Sequence, residues 1–259
     1  MRDQEGVLNG RTTGYNGAST KVYLGQLATE DDLKRDWVMT HEMVHLAFPS
    51  VADEHHWIEE RIATYFEPIA RVEAGNLEPR SIWHDLVEGL PKGSPQVGDN
   101  GLDYTHTWGR TYWGGALFCT LADIEIHQRT NNRRGLQDAL QAILAGGGNI
   151  EASWPLERAL MLGDKATGVP VLTELYQQMK AKAVQYDLAG LWNNLGVEPF
   201  GEVSFNDRAP LAAVRRAITA APTGTASCYP TFDNSVRRPD AQSSAMDGSV
   251  FAELLHGFE

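Results

Sequence analysis

At 259 residues and 42% hydrophobic content, the chain can form one large domain or two small ones around a substantial core. Its 34 acidic and 22 basic residues leave a net charge of −12, which argues against nucleic acid or an anionic membrane surface as partner. The two cysteines, Cys119 and Cys228, lie far apart in dissimilar settings, which excludes a disulfide framework and a Cys-based metal site.

No apolar run approaches transmembrane length. The first residues, MRDQEGVLNG, are polar and lack the apolar stretch of a signal peptide. As written, the chain reads as soluble and cytoplasmic by default, exported only if its natural start lies upstream. Residues 1–19 are rich in Gly, Asn, Thr and Ser and read as loop or weak strand. Lys21–Gly25 has the short β-rich pattern of a strand. Thr29 with Glu30, Asp31 and Asp32 gives a helix start with acids in the first turn. Leu33, Trp37, Val44 and Phe48 recur at helical steps and predict a buried stripe, with Thr40 its one polar member. His41 and His45 lie beside that stripe, and Pro49 ends the helix. A second helix is predicted from about Trp57 to Glu73, with Pro68 inside it and Gly75 beyond its end.

Residues 89–110 are rich in Gly, Pro and Asp and read as a long loop of the kind that borders a site. Helices follow over 111–129, 136–144, 155–162, 171–182, 188–195 and 210–218. Cys119 falls on the first of these as a small core residue rather than a nucleophile. The pairs Arg133–Arg134 and Arg215–Arg216 read as solvated. From Thr223 onward the composition is polar and aperiodic, which predicts a flexible tail. The expected organisation is a catalytic core over 1–150 with a reduced N-terminal sheet, a helical part of the same domain over 151–222, and a tail over 223–259.

The most definite chemical signal is His41-Glu42-Met43-Val44-His45, an H-E-x-x-H pattern on a helix. Residues four apart share a helix face, so two imidazoles can grip one metal ion while Glu42 sits near its water. A hydrolytic zinc site needs a third protein ligand and an open position. The next helix offers Glu59 and Glu60 in its first turn, and flanking Ile58 and Ile62 prevent both from facing inward. Glu60, Thr64 and Glu67 share one face, which favours Glu60 as the ligand. Glu67, two turns on, can then accept the outer N–H of a histidine ligand and fix its tautomer. Glu59 points to solvent on this reading. His55 and His56 are rival ligands, with helix-cap and surface roles as the ordinary alternative. A solvated helix face is the ordinary alternative for Glu60 and Glu67.

The segment Trp57–Glu67, WIEERIATYFE, resembles the W-x-x-E-G-x-A-x-Y-x-E segment that follows H-E-x-x-H in the gluzincin metallopeptidases. These include the aminopeptidase N and glycyl aminopeptidase families. Thr111–Leu140 is similar to the glycyl aminopeptidase family, with a Y-x-K-G-like start, a D-x-x-I-R-x-R-T-like end and an S-L-x-D-like continuation. The resemblance covers roughly residues 37–145. It implies a mainly α (α+β) gluzincin core of thermolysin-like type, with a short N-terminal β element, a zinc helix, a ligand helix and a helical C-terminal part. It implies one Zn2+ per chain on His41, His45 and Glu60, with Glu42 as base, Glu67 beyond the ligands, and Tyr112 as hydrogen-bond donor to the tetrahedral intermediate. The pattern departs at Arg61, where the family has glycine, and at Gly114, where it has lysine. The interval from His45 to Glu60 is shorter than in the aminopeptidase N family. A G-x-M-E-N segment, which holds a free α-amine in that family, is missing.

The expected function is zinc-dependent hydrolysis of a peptide or protein substrate, with aminopeptidase-like cleavage as one form of it. The alternative is a catalytically inactive zinc-binding interaction module of the same fold, motivated by Arg61 and Gly114. Tyr104, His106, Trp108 and Trp113 around the loop before Tyr112 are candidate walls of a substrate pocket, with ordinary loop packing as the other reading.

Overall fold

The chain opens with a hairpin laid on the helix that carries His41 and His45. Strand β1 (Val7–Thr13) pairs antiparallel with β2 (Ser19–Leu24), placing Gly10 opposite Val22 and Thr12 opposite Thr20. The computed structural model describes residues 4–199 and 201–220, so the predicted tail and Cys228 lie outside the described residues. Residues 1–19, read as loop or weak strand, thus contribute a seven-residue strand.

The single helix expected from Thr29 to Phe48 is two, α1 (Glu30–Arg35) and α2 (Val38–His45). Thr29 and Asp32 form a reciprocal cap at the start of α1. Asp36 is extended, and its carboxylate accepts the N–H of Met39 at 3.0 Å, so the chain restarts as a new helix. The break takes Leu33 off the expected buried stripe, leaving it 48% exposed, whereas Phe48 is buried.

Helix α3 (His56–Glu73) keeps Pro68 inside it and buries Trp57, Ile58, Ile62, Tyr65, Phe66 and Ile69. Helix α4 (Pro79–Gly89) was not expected from the pattern, although Pro79 in its first turn and inward Ile82, Trp83 and Leu86 are ordinary helix signals. A 3-10 turn, Leu90–Gly93, leads into the long loop. The helix predicted from Thr111 begins as a π turn, Arg110–Gly114, and continues as α5 (Gly115–Thr130). Then come α6 (Leu136–Ala145), α7 (Leu156–Thr167), α8 (Val171–Met179) and α9 (Leu188–Leu195). The two-residue strands β3 (Val197–Glu198) and β4 (Ser204–Phe205) pair antiparallel before α10 (Ala212–Ile218).

The described residues are mainly helical, and the core runs from Phe48 to Ile218, so 1–150 and 151–222 share it. Helix α3 packs on both α2 and α5. Trp57 of α3 meets Phe118 of α5 edge-on at 5.3 Å. Cys119 is buried in this core, as expected, and burial pushes its thiol well above the usual range. Arg215, expected in solvent, is instead buried, donating to the carbonyls of Leu195 and Gly196. No helix among the described residues is long and apolar enough to cross a membrane.

Two connections fix the site's surroundings. Ser50, just past α2, pairs with the segment before α7 through Ser50 N to Ala152 O at 2.9 Å and Trp154 N to Ser50 O at 3.0 Å. Asp103 in the long loop is buried and accepts from Trp57 Nε1 at 2.8 Å and Tyr176 OH at 2.9 Å, with His55 Nδ1 at 3.1 Å. One carboxylate therefore joins the loop to the start of α3 and to α8.

Replacing Asp103 with Ala strands these three partners. Asp103→Ala is expected to cost about 3 kcal/mol or more. Calorimetry should show Tm falling by roughly 6–12 °C, and an unchanged Tm would refute this anchoring role.

Candidate metal centre

Helix α2 supplies two imidazoles one turn apart, and their Nε2 atoms lie 3.3 Å from each other. The packing of α3 on α2 brings the Glu60 carboxylate to both, with Oε2 3.5 Å from His41 Nε2 and Oε1 3.7 Å from His45 Nε2. Donor atoms of His41, Glu42 and His45 also lie within 4.8 Å of one another, so this group could hold a metal ion. Of the two carboxylates, Glu60 faces the histidine pair from a separate helix. Glu42 follows His41 directly and is turned about 100° from it around the helix axis.

These spacings suit a tetrahedral ion. Zinc–nitrogen bonds of about 2.0–2.1 Å put neighbouring ligand atoms roughly 3.3 Å apart at the tetrahedral angle. The histidine pair already has that separation, and the two Glu60 oxygens are within a few tenths of an ångström of it.

The electrostatics suit a cation too. Burial alone would raise the Glu60 carboxyl, but the neighbouring His41, His45 and Arg61 outweigh it and hold the group at about 2. Burial pushes His45 below its usual value despite the opposing pull of Glu60, which favours the neutral, ligating form.

Glu42 is buried under the hairpin. A Cβ on Gly10 would lie 2.5 Å from Glu42 Cγ and 2.7 Å from Val38 Cγ1, so only a glycine strand position lets β1 come this close. Thr12 Oγ1 donates to the carbonyl of Glu42 at 2.8 Å, fixing the strand across the helix.

Glu67 is buried, with its carboxyl raised by burial against the pull of Arg71, which donates to it at 2.9 Å. His41 acts on it electrostatically as well. The rival ligands go elsewhere: His55 is bound to Asp103, and His56 is exposed beside Glu59. Glu59 is not turned to solvent as expected, because its Oε1 accepts the N–H of Val51 at 2.6 Å and closes the turn between α2 and α3.

Tyr112 sits in the π turn, its ring 3.7 Å from the Arg61 guanidinium and stacked with Trp108 at 5.5 Å. Arg61 Nη2 is in turn 3.9 Å from Glu60 Oε2. Of the candidate pocket residues, Trp108 thus adjoins Tyr112, Tyr104 and His106 are exposed, and Trp113 packs inward against Gly89.

No family model, curated protein or solved structure matches this chain.

Sequence reasoning missed Arg61 as a buried neighbour of the site and Gly10 as the contact over Glu42. Arg61 did stand out where the resembled pattern has glycine, but its burial depends on Gly115 of α5. A Cβ there would collide with the Arg61 side chain. Nothing in the local pattern around Gly10 signals its neighbour.

The geometry separates the two adjacent acids of α3. Glu60→Ala should weaken zinc binding by at least about 100-fold, the upper end for losing a mere outer partner. Glu59→Ala should leave affinity within about threefold, because Glu59 only closes the turn. Chelator-competition titration reads both, and equal losses would contradict the assignment.

Proposed function

We propose that this chain is a zinc-dependent metallopeptidase with a gluzincin-type ligand set. The observation that carries the reading is the Glu60 carboxylate, 3.5 Å and 3.7 Å from two imidazole nitrogens that are themselves 3.3 Å apart. The resemblance of Trp57–Glu67 to the gluzincin segment supports it, as does the likeness of Thr111–Leu140 to the glycyl aminopeptidases.

His41, His45 and Glu60 would hold the ion. When bound, zinc supplies a Lewis acid that acidifies water and polarises a peptide carbonyl. Glu42 accepts a proton from the attacking water and returns it to the leaving amine. Its burial beneath Gly10 restricts the carboxylate's freedom and keeps it near the histidine pair. Tyr112 donates its hydroxyl to the oxyanion that develops on the carbonyl. Glu67, charged against Arg71 and close enough to His41 to act on it, supports that ligand from behind.

Gently purified protein should carry about one zinc per chain. Glu42→Gln should keep the metal and lower kcat on a cleaved peptide by about 10²–10⁴. A fully active Glu42→Gln protein would refute the mechanism. Gly10→Ala, which pushes on the Glu42 side chain, should lower kcat while metal content stays unchanged. A peptide library read by mass spectrometry gives the cleavage site and end preference together. Zinc-loaded native protein that stays silent across that library would replace the peptidase reading with that of a zinc-binding interaction module.

A further inference from the structure

Arg61 is among the largest fully buried side chains of the protein. It follows the Glu60 ligand directly, and its side chain runs into a space open only because Gly115 has no Cβ. Nη1 donates to Thr64 Oγ1 at 3.1 Å, while Nε and Nη2 find no hydrogen-bond partner. A buried guanidinium in this state is costly unless other interactions compensate. Two neighbours do so: the Glu60 carboxylate 3.9 Å from Nη2, and the face of the Tyr112 ring 3.7 Å from Cζ.

Tyr112 needs such a neighbour. It is half-buried and lies in a π turn, a geometry found frequently at functional sites, where placement of the side chain matters. Trp108, stacked on it, is itself 41% exposed and sits on the loop side. Arg61 ties the ring to α3, the helix of the proposed third ligand.

We propose that Arg61 is a positioning residue: its planar guanidinium locks the Tyr112 ring to the Glu60 end of α3 and so sets where the tyrosine hydroxyl acts. The proposal rests on the peptidase reading above, in which Tyr112 donates to the oxyanion. A lysine would keep the charge but lose the flat face that stacks on the ring. Because Arg61 acts through Tyr112, its contribution to turnover should vanish once the hydroxyl is gone.

The test is a double-mutant cycle on zinc-loaded protein with a cleaved peptide. Removing an oxyanion donor costs about 10²–10³ in kcat, so Tyr112→Phe should fall in that range, and Arg61→Lys by roughly 10–100-fold, with KM within about twofold. The double variant should be no slower than Tyr112→Phe alone, and losses that multiply would overturn the proposal. If Arg61→Lys does not fold, Thr64→Val takes its place, since it removes the acceptor of Nη1 and keeps the charge. Its smaller loss should again disappear in the Tyr112→Phe background.

A second readout needs no activity. In protein labelled with 3-fluorotyrosine, the Tyr112 fluorine resonance, assigned by its loss in Tyr112→Phe, should shift or broaden in Arg61→Lys with or without zinc. An unchanged resonance overturns the proposal whatever the activity. Native protein that cleaves nothing, yet shows the altered resonance, sinks the peptidase reading while supporting the Arg61–Tyr112 lock.

Discussion

On the zinc reading proposed above, three donor atoms from two helices must lie within about half an ångström of the corners of one tetrahedron. Helical spacing alone brings His41 and His45 together. The third corner is a tertiary achievement, because Glu60 reaches it only if α3 is set at one place and one rotation against α2. Much of the surrounding structure serves that setting. Glu59 closes the turn between the helices, the Ser50 pairing anchors the end of α2 to the segment before α7, and Asp103 holds the start of α3.

The same packing concentrates charge in a poorly hydrated place. Glu42, Glu60 and Glu67 are acids, and Arg61 and Arg71 are bases, all on two adjoining helices. Each acid beyond Glu42 has a cationic neighbour within 4 Å: Arg61 for Glu60 and Arg71 for Glu67. Arg71 also donates to the carbonyl of Arg35 at 2.9 Å, so the outer pair reaches back to the end of α1. Partly buried ion pairs of this kind add little net stability, yet separating one leaves a partly desolvated charge uncompensated. A cation bound between the two helices would draw on the same logic.

Much of the candidate site's arrangement was legible because it depends on short-range periodicity. The i, i+4 histidines, and Glu60 and Glu67 on one face of the next helix, follow from helical geometry whatever the fold around them. The long helix expected from Leu33 onward failed because Asp36 offers its carboxylate to the Met39 N–H, a local bond that outcompetes an apolar stripe. Helix α4 was missed although Pro79 and the Ile82, Trp83 and Leu86 spacing marked it. The burial of Arg61, and of Arg215 farther on, could not be read locally, because a charged side chain goes inside only when distant partners make room for it. For Arg61 that partner is Gly115, more than fifty positions away; for Arg215 it is the pair of carbonyls at the end of α9.

The π turn at Arg110–Gly114 has a consequence of its own. It is a helix with one residue too many, and its first residue, Arg110, reaches Asp99 at 2.6 Å and the Gly93 carbonyl at 2.7 Å. Removing one residue there would let the turn relax to ordinary α-helix, which is the more comfortable conformation. The same deletion would rotate everything before it by about 100° relative to α5. Stability and placement thus pull against each other over five residues, and the chain keeps the less stable geometry in the segment that carries Tyr112.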